Sequence, residues 1–357
     1  MLSQLITSYP KFEVIKSGIH RNKISSVLSK EILERGFRKF APWFRDAYNP
    51  QFLISDLYDQ IAAQRLKPCE LFVGWSSFCL HSIEKAKRFG AITIVERGSS
   101  HIEYQKEILS EEYEKHGLKA QLPHPRIVEK ELEEYETADY VSVPSFFVKK
   151  SFLEKGFPER KIIQVPYGVD LSQFKRVPKE DDVFRVIHCG GVNIRKGCHY
   201  LIQAFAELKL PNAELWFVGT FNDEINPFLE KYGQVNIKFF GHQPQSRLNW
   251  FYSQSSVFAL LSIEEGLAMV QAQAMACGLP IICTTNTGGN DLIRDGFEGF
   301  VIPIRNVDMF KQRLLHLYER NDLRGEMSAS ALKRVASLFT WDDYGSKIIG
   351  AYSSIVK

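Results

Sequence analysis

The sequence predicts an α/β protein built on two open, parallel, doubly wound sheets, and three observations carry that prediction. Short apolar runs recur along the chain, each emptying into a Gly- or Ser-rich turn and then a helical stretch, as strands covered on both faces by crossover helices do. The length of 357 residues suggests two such units. A stretch rich in Pro, Gly and clustered charge, without periodicity, separates them at 168–182.

In the first unit, 2–7 reads as an opening strand that Tyr9-Pro10 ends. Ile24, Val27, Leu28 and Ile32 recur at helical spacing and Gly36 suits a stop. A second strand, 71–73, empties into Gly74-Trp75-Ser76-Ser77 and a helix through Arg88. A third, 91–95, ends in Glu96-Arg97-Gly98-Ser99-Ser100-His101. Ligands of open α/β sheets sit at the carboxyl ends of strands, so Gly74, Trp75, Glu96, Arg97, Ser99, Ser100 and His101 become candidates. Set against this, a lone His is usually structural, and Glu96 could equally be an ion-pair partner. The acidic run 111–136, broken at Leu122-Pro123-His124-Pro125, reads most simply as a solvated helical face. Then come a strand at 138–143, a helix capped by Ser145 that Gly156-Phe157-Pro158 terminates, and a strand at 162–165.

The second unit opens with a strand at 184–188. Cys189-Gly190-Gly191-Val192-Asn193-Ile194-Arg195-Lys196-Gly197 then forms a glycine-bounded loop before a helix carrying Leu201, Ile202, Phe205 and Leu208. Glycines admit close backbone approach, a helix start presents N–H groups, and Arg195 and Lys196 add charged donors, so a phosphate site is the natural reading. It is neither the G-x-G-x-x-G fingerprint nor a P-loop. Strands at 215–218 and 237–240 repeat the theme and end at Gly219 and at Gly241-His242-Gln243-Pro244. The stretch 262–289 follows the apolar run 257–261. It comprises an acidic turn with Glu265 and Gly266, a small-residue helix, a Gly278-Leu279-Pro280 stop, a buried strand at 281–283 and a second Gly-rich turn. The first turn of that helix follows directly on Glu265 and Gly266, where N–H groups invite an anion. An amphipathic helix at 341–356 closes the chain, long enough to fold back across the domain boundary.

Composition narrows the classes. The chain is 45% hydrophobic and 24% charged, an ordinary globular balance, and its net charge of +3 argues against a dedicated nucleic-acid binder. Its six cysteines show no C-x-x-C spacing, so buried free thiols in a reducing compartment are expected. No apolar run approaches a membrane span and the N-terminus lacks the layout of a signal peptide, so the expected location is cytoplasmic. Charge is uneven, however: residues 1–50 hold nine Lys/Arg against four Asp/Glu. Within them, segment 35–45 interleaves aromatics with cations. It reads either as a patch touching anionic lipid at the inner membrane face or a phosphorylated acceptor, or as a solvated helix end with core aromatics.

Taken together, and in order, these segments resemble the family 4 glycosyltransferases of the GT-B fold, two facing Rossmann-like domains with substrate in the cleft. The resemblance covers nearly the whole chain and is strongest from about 136 to 305. It implies an acceptor-side domain at 1–168, a hinge at 169–182, a nucleotide-sugar domain at 183–335 and a helix at 336–357 crossing back. It also implies transfer of a sugar from a nucleotide sugar to a hydroxyl of a saccharide, glycolipid or other glycoconjugate, with retention at the anomeric carbon and without a metal or other cofactor. By resemblance, Glu265 sits at the transferring sugar and Lys196 contacts the diphosphate. The donor is further lined by Gly190, Gly191, Gly266, Leu267 and Ala268, and its base by the main chain near Gly241, His242 and Gln243.

The family signature has two glutamates eight positions apart, about 12 Å along a helix, comparable to the separation of sugar and ribose. Here the second position is Gln273, an uncharged amide that still accepts from and donates to a ribose hydroxyl. Gly191 stands where the family often has Arg, and Arg195 can supply that charge. The family's His after the third strand is replaced by Glu96 and Arg97, with His101 further on. Gln273 and Gly191 also suit a non-catalytic or regulatory nucleotide-sugar binder. An epimerase would need paired acids and bases around the sugar, and a dehydrogenase the dinucleotide fingerprint; neither is present.

Overall fold

The computed structural model describes residues 2–40, 50–233, 236–337 and 340–356. Segment 35–45 lies in part outside the described residues, and the membrane reading of it with them. Among the described residues, no helix is long and apolar enough to cross a membrane.

Leu5–Thr7 (β1) and Ile24–Ser26 (β2) form a small parallel pair. The helical stripe expected from Ile24 is therefore a strand followed by a helix, Ser29–Phe40, which passes through Gly36. Ile24 and Val27 are buried while Leu28 and Ile32 are exposed, so these residues do not share one face. One glycine costs a helix only about 1 kcal/mol, too little to stop it. Leu71–Trp75 (β3), Ile92–Glu96 (β4), Tyr140–Val143 (β5) and Ile162–Gln164 (β6) then make a four-stranded parallel sheet in sequence order.

The second sheet comprises Phe184–Cys189 (β7), Ala213–Val218 (β8), Ile237–Phe239 (β9), Val257–Leu260 (β10), Ile281–Thr284 (β11) and Gly299–Ile302 (β12), ordered β12-β11-β10-β7-β8-β9 and parallel throughout. Alternate residues of its strands enter two cores. Val186, Val257 and Ala259 pack with Leu201, Ile202 and Phe205 on one face, while Ile187, Phe258 and Leu260 pack with Ala272 and Met275 on the other. Because β7 has β8 on one side and β10 on the other, the winding reverses there and opens a crevice between the carboxyl ends of β7 and β10. The architecture is the two-domain α/β arrangement of parallel sheets known as GT-B.

The acidic run 111–136 is a solvated face only in part: Glu111, Glu114, Glu129, Glu133 and Glu136 are exposed, but three of its glutamates turn inward. It forms two helices, Ile102–Lys115 and Pro125–Thr137, which bury Glu112, Glu131 and Glu134 completely or nearly so. Each carboxylate has partners that make burial tolerable. Glu134 accepts the Ser77 and Cys79 N–H groups at 2.7 and 2.9 Å, Glu131 pairs with Arg97 at 2.9 Å, and Glu112 takes Arg305 and His199. The last helix, Trp341–Ile355, opens with a Thr340/Asp343 capping box. It lies at the end of β4, where Tyr344 and Tyr352 donate to Glu96 at 3.2 and 3.1 Å.

Candidate functional site

The site is built from two loops on neighbouring strands. After β7, Asn193 Oδ1 accepts the Lys196 N–H at 2.9 Å, and Glu224 Oε1 accepts the Ile194 N–H at 2.8 Å, which fixes the loop before Cys198–Leu208 begins. Gly197 has φ of 65°, and a Cβ there would lie 1.9 Å from the Leu261 carbonyl oxygen, so the loop rests directly on the end of β10. The Ile263 N–H donates to the Arg195 carbonyl at 2.8 Å and joins the two loops further.

The β10 loop carries two neighbouring carboxylates. Glu265 forms an ion pair with the Lys196 ammonium, and both side chains retain some exposure. Burial, then the Arg195 guanidinium, holds the Lys196 ammonium down to about 8. Glu264 is fully buried. Its Oε2 accepts Arg195 Nε at 2.8 Å and Gln105 Nε2 at 3.0 Å; its Oε1 accepts the Ser100 N–H at 2.9 Å and the Ser100 hydroxyl at 2.8 Å. Burial pushes this carboxyl up, but Arg195, the two Ser100 donors and Arg97 outweigh it and leave it below its ordinary value. Glu264 thus bolts the loop after β4 to the loop after β10. Sequence reasoning passed over it; the legible signal was a second acid beside Glu265 directly after a buried strand.

Gly266 completes the junction. A Cβ there would lie 1.6 Å from the Gly98 carbonyl oxygen, and the Gly266 carbonyl accepts the Ser145 hydroxyl at 2.8 Å. The following helix starts at Met269 and not at Gly266, because Ala268 is its N-cap with extended backbone (ψ 98°), and the Ala268 N–H is donated to the Thr287 carbonyl. Ala268 therefore leaves the set of free anion donors, and its side chain and that of Leu267 are buried in the core. On the helix Met269–Ala276, Gln273 Oε1 accepts the Tyr252 hydroxyl at 3.3 Å. Gly190 and Gly191 follow β7 directly, and the Gly219 N–H donates to the Gly241 carbonyl at 2.9 Å, which ties the turns after β8 and β9. His242 is exposed there, and Gln243 is held to the Phe240 carbonyl at 2.7 Å.

The first-domain candidates divide. Ser99 reaches Arg195 Nη2 at 3.5 Å, and Trp75, half exposed beyond Gly74, stacks on Tyr167. Ser100 spends both its donors on Glu264 and is fully buried, so it faces no acceptor. Arg97 is committed to Glu131, Gln105, Ser76 and the Ser100 carbonyl. Glu96 is held by the two tyrosines, with burial raising its carboxyl above its ordinary value. His101 is not at the crevice: its ring is buried against Tyr135 and Phe152, and its Nδ1 caps the helix Ile102–Lys115 by accepting the Glu103 N–H. Burial, then Arg97, drives that imidazole down to about 4, so it is a neutral structural cap. A cavity of about 180 Å³ lies beside the junction, where Tyr104, Phe147 and Ser151 face Asn286, Gly288 and Asp291.

Residues 170–334 match the family model for group 1 glycosyl transferases. Among curated proteins, the chain is 33% identical over 150 residues to the proposed glycosyltransferase EpsD of Bacillus subtilis, covering 41% of this chain and 39% of that one. It is 22% identical over 231 residues to the lipopolysaccharide 1,2-N-acetylglucosaminetransferase of Salmonella typhimurium, covering 58% and 60%. The matched region thus spans about half the length of such relatives. Among solved structures, HepE of Anabaena in complex with UDP superimposes over 99% of this chain and 100% of its own with a TM-score of 0.69 at 15% identity. Sucrose-phosphate synthase of Thermosynechococcus elongatus does so over 85% and 78% with a TM-score of 0.70 at 18% identity.

Proposed function

We propose that this chain is a glycosyltransferase that moves a sugar from a nucleotide sugar to a hydroxyl acceptor with retention at the anomeric carbon. The observation that carries the reading is the Lys196–Glu265 pair at the crevice between β7 and β10, in the segment that matches the group 1 glycosyl transferases. The full-length likeness to HepE, a protein solved with UDP and with UDP-glucose, supports a nucleotide-sugar donor. The lipopolysaccharide N-acetylglucosaminetransferase and the phosphatidylinositol monomannoside mannosyltransferase among the relatives support a saccharide or lipid-linked acceptor.

In this reading Lys196 binds the diphosphate and stabilises the negative charge that develops as the glycosidic bond breaks. Arg195 contributes only through its terminal nitrogens, since Nε belongs to Glu264. The N–H groups of Gly266 and Leu267 face the same charge. Glu265, released from Lys196 when phosphate takes the ammonium, accepts hydrogen bonds from the sugar hydroxyls. The acceptor oxygen attacks the anomeric carbon on the face that the diphosphate leaves, and its proton passes to the departing phosphate oxygen. Trp75, half exposed with its ring stacked on Tyr167, offers an aromatic surface to an acceptor ring. Gln273 holds the ribose through the amide that Tyr252 orients.

The test is Lys196→Ala, assayed for sugar transfer and for donor hydrolysis after nucleotide sugars, UDP-glucose first, are screened by thermal shift. A donor at 100 times its Kd adds about 2.7 kcal/mol of stability. Loss of one such charge-stabilising donor should lower turnover by about 10²–10³-fold. Unchanged turnover would sink the assignment. A melting shift with no sugar moved to any acceptor would favour a nucleotide-sugar binder instead.

A further inference from the structure

A second cluster of chemistry-bearing side chains lies away from the crevice. Glu112 and His116, four residues apart at the end of the helix Ile102–Lys115, meet His199 in the first turn of the helix Cys198–Leu208. His199 Nε2 lies 2.9 Å and His116 Nε2 3.3 Å from the same oxygen, Glu112 Oε1. Among the described residues, these three present one ligand atom each within 4.8 Å of one another. Glu112 and His199 are essentially inaccessible, and His116 Nε2 is a buried nitrogen without a hydrogen-bond partner.

We propose that Glu112, His116 and His199 form a binding site for a transition-metal ion of the zinc class, which ties the first-sheet helix to the helix opened by the Lys196 loop. Two imidazoles and one carboxylate are a zinc donor set, and they suit hard cations such as Mg²⁺ poorly. Ligand distances of about 2.0–2.1 Å place tetrahedral ligands about 3.3 Å apart. The Glu112–His116 separation already matches that edge, and the Glu112–His199 separation need open by only a few tenths of an ångström. Arg305 Nε holds Glu112 Oε2 at 2.5 Å, which turns Oε1 toward the rings. Lys115, the other cation close by, is engaged with the Tyr200 hydroxyl at 3.0 Å. The His199 proton moves from Nε2 to the unpartnered Nδ1 as metal binds, and no net proton need be released. The His116, His199 and Phe228 rings pack together around the site, and a water reaching it past the partly exposed His116 would complete the tetrahedron.

This inference stands independently of sugar transfer. Tag-free protein stripped with chelator is dialysed against Zn²⁺ or Co²⁺ in excess Mg²⁺. The expected result is one Zn²⁺ or Co²⁺ per chain, a tetrahedral ligand-field spectrum with Co²⁺ and a higher melting temperature with Zn²⁺. The double variant His116→Gln/His199→Gln, with its fold checked by circular dichroism, should lose more affinity than the about 10–100-fold that removal of an outer-shell partner costs. His199→Cys should restore binding, since thiolate is itself a zinc ligand. Absence of bound metal in the wild type, an octahedral cobalt spectrum, or equal metal retention by the double variant each overturns the site. The first two outcomes need no variant at all.

Discussion

Glu264 and Glu265 are consecutive residues at the end of the same strand, yet their surroundings differ completely. Glu264 is sealed from water and accepts four hydrogen bonds, two of them from the loop after β4. Glu265 keeps some exposure and has one cation, which the proposed donor phosphate would take from it. The contrast separates a carboxylate that holds a site together from one that is free to act in it. Chemistry needs groups whose partners can be exchanged, and Glu264 has none to give up.

The largest expected effect breaks the first member of that pair. Removing one partner of a buried ion pair typically costs about 3–5 kcal/mol, so Glu264→Ala should lower stability by that amount in denaturant unfolding. The pH dependence follows from the sign of the shift. Glu264 is held below its unfolded value, so its contribution is present above the ordinary carboxylate range and is lost as pH falls through the folded value. Glu264→Ala should therefore flatten the acid limb of the stability profile. A variant as stable as the wild type at neutral pH would show that the junction is not held by this residue.

The next effect sharpens the other member. Glu265→Gln should leave the midpoint of unfolding close to the wild-type value and lower sugar transfer by about 10²–10³-fold, about 2.7–4 kcal/mol of transition-state stabilisation. If stability fell and turnover did not, Glu265 would belong with Glu264 as a structural residue.

Much of the fold could be read from the chain because apolar runs and glycine turns are local signals. Strands β3–β11 lie where short apolar runs meet turn residues, β12 was not foreseen, and Ser145 caps its helix as expected, accepting the Val148 N–H. The failures are non-local. No spacing in 111–136 reveals that Arg97, Arg305 and the Ser77 turn are waiting for Glu131, Glu112 and Glu134. His101 follows a strand, where catalytic groups belong, but Tyr135 and Phe152 close over its ring from other helices. Glu264 was hidden for the same reason, since its partners Ser100 and Gln105 are more than 150 residues away. Motif residues such as Lys196 and Glu265 were legible because one loop carries each of them.

A third effect is read in the pH profile of kcat/KM. The Lys196 ammonium sits near 8 in the free protein, held down by burial and by Arg195. If the charged form binds diphosphate, kcat/KM should fall above about pH 8 by roughly tenfold per unit, as for a single required proton. Lys196→Arg, whose guanidinium stays charged, should lose that limb while keeping part of the activity, because a planar fork replaces a compact ammonium. A limb that persists in Lys196→Arg would assign the titration to another group and would detach Lys196 from the reaction.

The smallest effect concerns the residue that departs from the paired-glutamate pattern. Gln273 and the Tyr252 hydroxyl share one hydrogen bond, and a carboxylate at the same position would accept it equally well, so Gln273→Glu should fold normally. Hydrogen bonds to an ionised acceptor are roughly twice as strong as neutral ones, which should lower the donor KM several-fold with little change in kcat. The split between the two constants is the informative part. A change confined to KM places Gln273 at the ribose, remote from the reacting carbon, whereas a comparable change in kcat would draw it into the chemistry beside Glu265. If neither constant moved, the amide would be no more than an anchor for Tyr252, and ribose recognition would have to be sought elsewhere along the crevice.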